Sequence, residues 1–91
     1  MLTIRRSSAF KRDYRKIKAT LRFRDIDSLL VPILQLLLAG ERLPPNLSDH
    51  PLSGPWEGYR DCHVCPDLIL IYQKSEGVVV LHRLGSHSEL F

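Results

Sequence analysis

Phe10, Tyr14, Ile17 and Leu21 recur at i, i+4, i+7 and i+11, with charged side chains filling most positions between them. That period is one apolar face of an α-helix. Lys11, Arg12, Arg15, Lys16, Lys18 and Arg22 cover the other side, and Ser7 or Ser8 can cap the start. The pattern predicts a helix from about Ser8 to Leu21. A second helix is expected from about Asp27 to Ala39, capped by Asp25 or Asp27 and closed by Gly40. It is apolar almost all round, which predicts burial. Pro32 removes an N–H and disfavours helix at Val31, so a kink or a late start is expected there.

Ahead of the helices, Leu2 to Arg5 reads as a short strand. After them, Pro44-Pro45-Asn46 ends the helical half, and residues 46–58, with Ser53-Gly54-Pro55 and Gly58, read as an ordered loop. The period then changes to two. Tyr59, Asp61 and His63 alternate with Arg60, Cys62 and Val64. Leu68 to Tyr72 is apolar on both faces, as a central strand should be. Lys74-Ser75-Glu76-Gly77 reads as a hairpin turn, Val78 to Leu84 as its partner strand, and the last residues as a tail or turn. The order is β-α-α-β-β-β. It predicts an α+β domain with an antiparallel-rich sheet and the two helices packed on one face. Ninety-one residues imply a single domain over 1–91 with one modest core.

Charge changes the picture of the first helix. The net charge is +3, yet nine of the 13 Lys/Arg lie in residues 1–24 against one acid, Asp13. The first quarter therefore carries +8 and the remainder −5. Such a block is either a solvated helix face or a grip for a polyanion. No apolar stretch follows Arg5-Arg6 as a signal peptide requires, and Leu29 to Ala39 is too short to span a bilayer. A cytoplasmic protein without membrane contact is expected.

Candidate chemistry sits in the second half: His50, Asp61, His63, Asp67, Arg83, His87 and the terminal Phe91. On a strand, Asp61 and His63 point to the same face, and Arg83 lies on the partner strand. If the helices cover one sheet face, these polar residues belong on the open one, with His50 and His87 arriving from flanking segments. Imidazole suits proton transfer near neutral pH, and Arg supplies a fixed charge for phosphate. Cleavage of RNA by its own 2′-hydroxyl needs a base, an acid for the leaving 5′-oxygen, and cations for the developing charge. Histidines and an Arg meet that need without a metal or cofactor. Each histidine alone also fits a structural role, the role expected of His82, in the core or on the hairpin surface.

Cys62-His63-Val64-Cys65 contains a C-x-x-C, but no second pair exists to complete a zinc site. Both cysteines read as small buried hydrophobes. Trp56 and Tyr59 either stack on bases or pin the loop to the sheet.

The stretch from Asp49-His50-Pro51-Leu52-Ser53-Gly54-Pro55-Trp56 through Tyr59-Arg60-Asp61-Cys62-His63 to Asp67 and Tyr72 resembles the signature of the RelE-superfamily toxins, specifically the YafQ branch. The closing Arg83-Leu84-Gly85-Ser86-His87-Ser88-Glu89-Leu90-Phe91 is similar to that branch's carboxyl end. The resemblance covers the whole chain and implies a RelE-like fold. It further implies a bacterial type II toxin that cleaves messenger RNA in the ribosomal A site and is silenced by a small antitoxin. It implies that His50, His63, Asp67, His87 and Phe91 form the active site, with His87 the main proton-transfer residue, and that Asp61 and Arg83 lie near it. Leu68 stands where the branch can carry Trp, and Cys65 where it can carry an acid, which bears on substrate preference.

The expected roles are then His87 as general acid, His50 or His63 as base or its helper, and Arg83 on the phosphate. Asp61 and Asp67 orient imidazoles, Phe91 packs on a base or sets its carboxylate near the site, and the basic helix binds ribosomal RNA. Two rivals remain open: a toxin of the same fold that inhibits DNA gyrase without chemistry, and a small zinc-binding nucleic-acid adaptor.

Overall fold

The computed structural model describes residues 2–91, and Met1, the first residue of the expected domain, lies outside the described residues. Strand β1 (Thr3–Arg6) leads into helices α1 (Ser8–Lys18) and α2 (Asp27–Leu38). Strands β2 (His50–Pro51), β3 (Arg60–Cys65), β4 (Leu68–Ser75) and β5 (Val78–Gly85) follow, and helix α3 (His87–Leu90) closes the chain. Single 3₁₀ turns at Pro45–Leu47 and Gly54–Trp56 flank β2. The architecture is α+β, with three helices and one five-stranded mixed sheet ordered β1-β5-β4-β3-β2. β1 runs parallel to β5, and the other neighbours are antiparallel. Among the described residues no helix is long and apolar enough to cross a membrane.

Ser7 caps α1: its hydroxyl accepts from Phe10 N–H at 3.0 Å and donates to the His82 carbonyl at 2.8 Å, fastening the helix start to β5. The helix stops short of Leu21, which is 82% exposed instead of lying on the apolar face. Two local contacts explain this correction. The Thr20 hydroxyl donates to the Ile17 carbonyl at 2.7 Å, competing for the last turn. Asp27 draws in the opposite end of the connection, accepting from Tyr14 Oη at 2.6 Å and Lys18 Nζ at 2.9 Å. Asp27 thus bridges the helices and does not cap α2, whose capping position is Ile26 without a side-chain bond.

Helix α2 starts at Asp27 despite Pro32, so the late start is not found. Leu30, Ile33 and Leu37 are buried, whereas Leu29, Val31 and Leu38 are exposed, which overturns the expected all-round burial. A helix lying on a sheet buries one stripe only, whatever its composition.

The main core joins Phe10, Ile26, Leu30, Ile33 and Leu37 to Cys62, Leu70, Tyr72, Val79 and Leu81. The other sheet face carries a smaller cluster of Ile69, Ile71 and Leu90, packed by Leu52, Trp56 and Tyr59. β4 is therefore apolar on both sides. Segment 46–58, expected as loop, supplies β2, whose His50 pairs with Asp61 and Pro51 with Arg60. Register across the sheet aligns His50, Asp61, Ile71 and Arg83 in one row, and His63, Ile69 and Gly85 in another. Directly paired residues share a face, so these rows lie on the open side. Between them and the hairpin, the pairing slips so that His82 has no partner on β4, a bulge.

Candidate active site

Asp61 is the pivot of the open face. It is the one charged residue among the buried side chains described, 4% exposed, because β3 lies inside the sheet with β2 and β4 on either side. Its Oδ1 lies 3.1 Å from His50 Nδ1. The same Nδ1 is 2.7 Å from the Ser48 carbonyl. A carbonyl only accepts, so the Nδ1 carries its proton toward Ser48 and Nε2 is left as the working nitrogen. Asp61 Oδ1 consequently receives no directed hydrogen bond, and its contact with the imidazole is electrostatic. Ser48 presents its carbonyl from a left-handed conformation, φ +52°, unusual for a residue with a Cβ. That local strain sits beside the histidine it orients. Pro51 follows His50 and restricts it to extended backbone.

Burial pushes the Asp61 carboxyl above the usual carboxylate range; His50, His63 and His87 draw it back down, and Asp49 pushes it up. Three imidazoles are therefore within electrostatic reach of one buried acid. His63 arrives two residues along β3 on the same face. His87 opens α3, a single helical turn where a tail or turn is expected. Ser86 and Glu89 hold that turn in a reciprocal capping box: Ser86 Oγ accepts from Glu89 N–H at 3.3 Å, and Glu89 Oε1 accepts from Ser86 N–H at 2.9 Å. His87 packs on Phe91, with ring centroids 5.0 Å apart. From there an aromatic file continues through Trp56 at 6.5 Å from Phe91, Tyr59 at 5.3 Å from Trp56, and His82 at 4.6 Å from Tyr59. Trp56 and Tyr59 pack on Ile69 and Ile71, which pins their loop to the sheet. Phe91 keeps 48% of its surface exposed at the end of the file.

Arg83 and Asp67 are partnered elsewhere. Arg83 shares the row of Asp61 but is separated from it by Ile71, and its guanidinium turns to α1. Its Nε donates to Asp13 Oδ2 at 2.7 Å and its Nη2 to Oδ1 at 3.3 Å, while Leu84 N–H also donates to Oδ2 at 3.1 Å. Asp13 thus covers the edge of β5 beyond the end of β1. Asp67, in the β3–β4 turn, is paired with Arg22 at 2.5 Å and touches Cys65 Sγ at 3.8 Å. The Arg22 hydrogen bond holds its carboxyl below the usual range. Among the described residues its side-chain partners are Arg22 and Cys65, and no imidazole. The sequence assigns Arg22 to the basic helix face and Asp13 to the same block, but pairing with Asp67 and Arg83 across such sequence distance leaves no local pattern. His82 is half-buried against Tyr59, with Nε2 unpartnered, and burial lowers its pKa. Cys62 is fully buried, its thiol pushed up to about 12 by desolvation, and Cys65 is half-buried.

On the far side of α1, Arg6, Lys11, Tyr14, Arg15 and Lys18 line a basic cavity of about 430 Å³. It lies apart from the histidine cluster. The sequence model of the family described as "Bacterial toxin of type II toxin-antitoxin system, YafQ" matches residues 2–91. The mRNA interferase toxin YafQ of Escherichia coli strain B / BL21-DE3 is 38% identical over 85 residues, 93% of this chain and 90% of that protein. The crystal structure of YafQ from E. coli strain BL21(DE3) superposes with a TM-score of 0.88 at 35% identity, over 100% of this chain and 99% of that one. The toxin of the E. coli DinJ-YafQ toxin-antitoxin complex matches with a TM-score of 0.86 at 36% identity, over 99% and 97% of the two chains.

Proposed function

Since the chain belongs to the YafQ family of bacterial toxins of type II toxin–antitoxin systems, we propose that it is an endoribonuclease that cuts translated messenger RNA. The observation that carries this reading is the His50 imidazole set between the Ser48 carbonyl and the buried Asp61 carboxylate, with His63 and His87 acting electrostatically on the same acid. That arrangement suits proton transfer to and from a nucleophile on the substrate. The RNA supplies one. His50 Nε2 takes the 2′-hydroxyl proton as the 2′-oxygen bonds to phosphorus. The bond to the 5′-oxygen breaks, and His87 gives that oxygen its proton. The products are a 2′,3′-cyclic phosphate and a 5′-hydroxyl. Asp61 stabilises the imidazolium formed on His50, as a buried carboxylate does for a base histidine. His63 sits beside the phosphate and shares its negative charge. Phe91 offers an exposed ring on which a base stacks.

Arg83 enters this reading as a strut, since Asp13 holds its guanidinium. Asp67, paired with Arg22, positions the β3–β4 turn at the margin of the site. The exposed basic face of α1 binds ribosomal RNA, and the ribosomal A site presents the message. By analogy with the DinJ-YafQ complex, a small antitoxin neutralises the protein. The action is cytoplasmic, where translated messages are. Primer extension on a translated message after induction tests the proposal. New 5′ ends within the reading frame are expected. Intact messages together with loss of DNA supercoiling would transfer the chain to the gyrase-inhibitor reading.

A further inference from the structure

His50 performs its proposed task from a weakly held element. β2 is a two-residue edge strand between two 3₁₀ turns, with only β3 beside it. One further main-chain bond secures its exit, from Leu52 N–H to the Tyr59 carbonyl at 2.9 Å. The residue before His50 is Asp49, and its side chain reaches the opposite, helix-covered side of the sheet. There its Oδ1 accepts from the hydroxyl of Tyr72 and from Arg60 Nε at 3.3 Å, and its Oδ2 accepts from Arg60 Nη2 at 3.2 Å. Tyr72 is fully buried in the main core on β4, and Arg60 pairs with it across β3. Three donors from two interior strands thus converge on one carboxylate at the chain position next to the histidine. Charge-assisted and forked bonds of this kind are the strong, direction-fixing ones.

We propose that Asp49, gripped by Tyr72 and Arg60, is a positioning residue that sets His50 against Asp61 through the thickness of the sheet. This rests on the reading of His50 as the base. Alternation along the chain links the two: anchoring Asp49 on the helix side fixes where His50 emerges on the open side. Ser48 in its left-handed conformation and Pro51 limit the backbone on either side, so the anchor leaves His50 little freedom. A displacement of about 1 Å at a reacting group can lower a rate by about 10²-fold.

A double-mutant cycle on single-turnover cleavage tests the proposal, with unfolding midpoints measured alongside. Asp49→Ala should lower the rate by about 10- to 100-fold in the wild type and by less than about 2-fold when His50→Ala is already present. Equal losses in the two backgrounds would overturn it, since the anchor would then act on something other than His50. Should Asp49→Ala fail to fold, Tyr72→Phe and Asp49→Asn replace it, each removing one component of the grip while keeping the shape. A second readout needs no nuclease activity: the ring-nitrogen NMR shifts and titration of His50. These should change in Asp49→Asn and Tyr72→Phe, while those of His87 stay as in the wild type. Unchanged His50 resonances in both variants would also overturn the proposal, whether or not the protein cuts RNA.

Discussion

Replacing Asp61 by Asn should move activity and stability in opposite directions. Burial raises the folded carboxyl's pKa above its unfolded value. A group shifted this way adds stability below its unfolded pKa, and that contribution disappears as pH rises through the folded pKa. Ionising Asp61 as the pH rises therefore costs the folded state stability; Asp61→Asn removes that cost, and the variant should unfold at a higher denaturant concentration at pH 7. The gap should close as the pH is lowered below about 4, where the unfolded carboxyl is protonated too. Activity should fall. At 3.1 Å from His50 Nδ1, the carboxylate stabilises an imidazolium by at most roughly 5 kcal/mol at an effective dielectric constant of about 20. His50 is half exposed, so water screens part of that. A loss of about 10²- to 10³-fold in single-turnover cleavage is expected, within the usual span of acid–base contributions. Denaturant unfolding at pH 7 and pH 4 and cleavage of ribosome-bound message measure both quantities on the same preparations. A variant that is less stable at pH 7 and cuts at the wild-type rate would refute the reasoning, because Asp61 would then be an ordinary structural acid.

Other perturbations separate the parts of the account. Arg83→Gln should lower stability by about 1–2 kcal/mol by freeing the partly buried Asp13, and should reduce cleavage by the folded enzyme less than about 10-fold; a 10³-fold loss at unchanged stability would return Arg83 to the phosphate. Replacing Lys11, Arg12, Arg15 and Lys16 by Gln should weaken ribosome binding and flatten its salt dependence, each lost phosphate contact removing about 0.7–0.9 from the log–log slope. Equal slopes for variant and wild type count against the basic face. Cys62→Ser with Cys65→Ser should lower the unfolding midpoint, since Cys62 is fully buried, and leave cleavage of the folded protein intact. Stoichiometric zinc lost together with activity in that variant would favour the adaptor reading.

The strands after residue 59 could be read from the chain because residues 59–64 alternate with a period of two, and β4 stood out by being apolar on both faces. α1 was readable from its helical period, and α2 from its length and the Gly40 that closes it. What escaped was set by contacts distant in sequence or by single polar groups. Thr20 and Asp27 end α1 before Leu21 reaches the core. The sheet rather than composition decides which side of α2 is covered. β2 is two residues long, too short to show a period, yet it carries His50. Asp61 and His63 could be placed on one face by alternation, but the partners of Arg83 and Asp67 lie 70 and 45 positions away, at Asp13 and Arg22. No spacing rule points to them. The His82 bulge is likewise invisible in the sequence of β5, where four apolar residues in a row give no sign of where the pairing slips.

The central claim is that the RNA's own 2′-hydroxyl is the nucleophile and that imidazoles move the protons. The chemistry of the cut ends tests it most directly. Purified protein should be mixed with translating ribosomes and the two termini at each new cut identified. A 2′,3′-cyclic phosphate upstream and a 5′-hydroxyl downstream are expected, with their yield in a single turnover reduced about 10²- to 10⁴-fold by His87→Ala while ribosome binding is unchanged. A 3′-hydroxyl paired with a 5′-phosphate would contradict the account, because those ends come from attack by water.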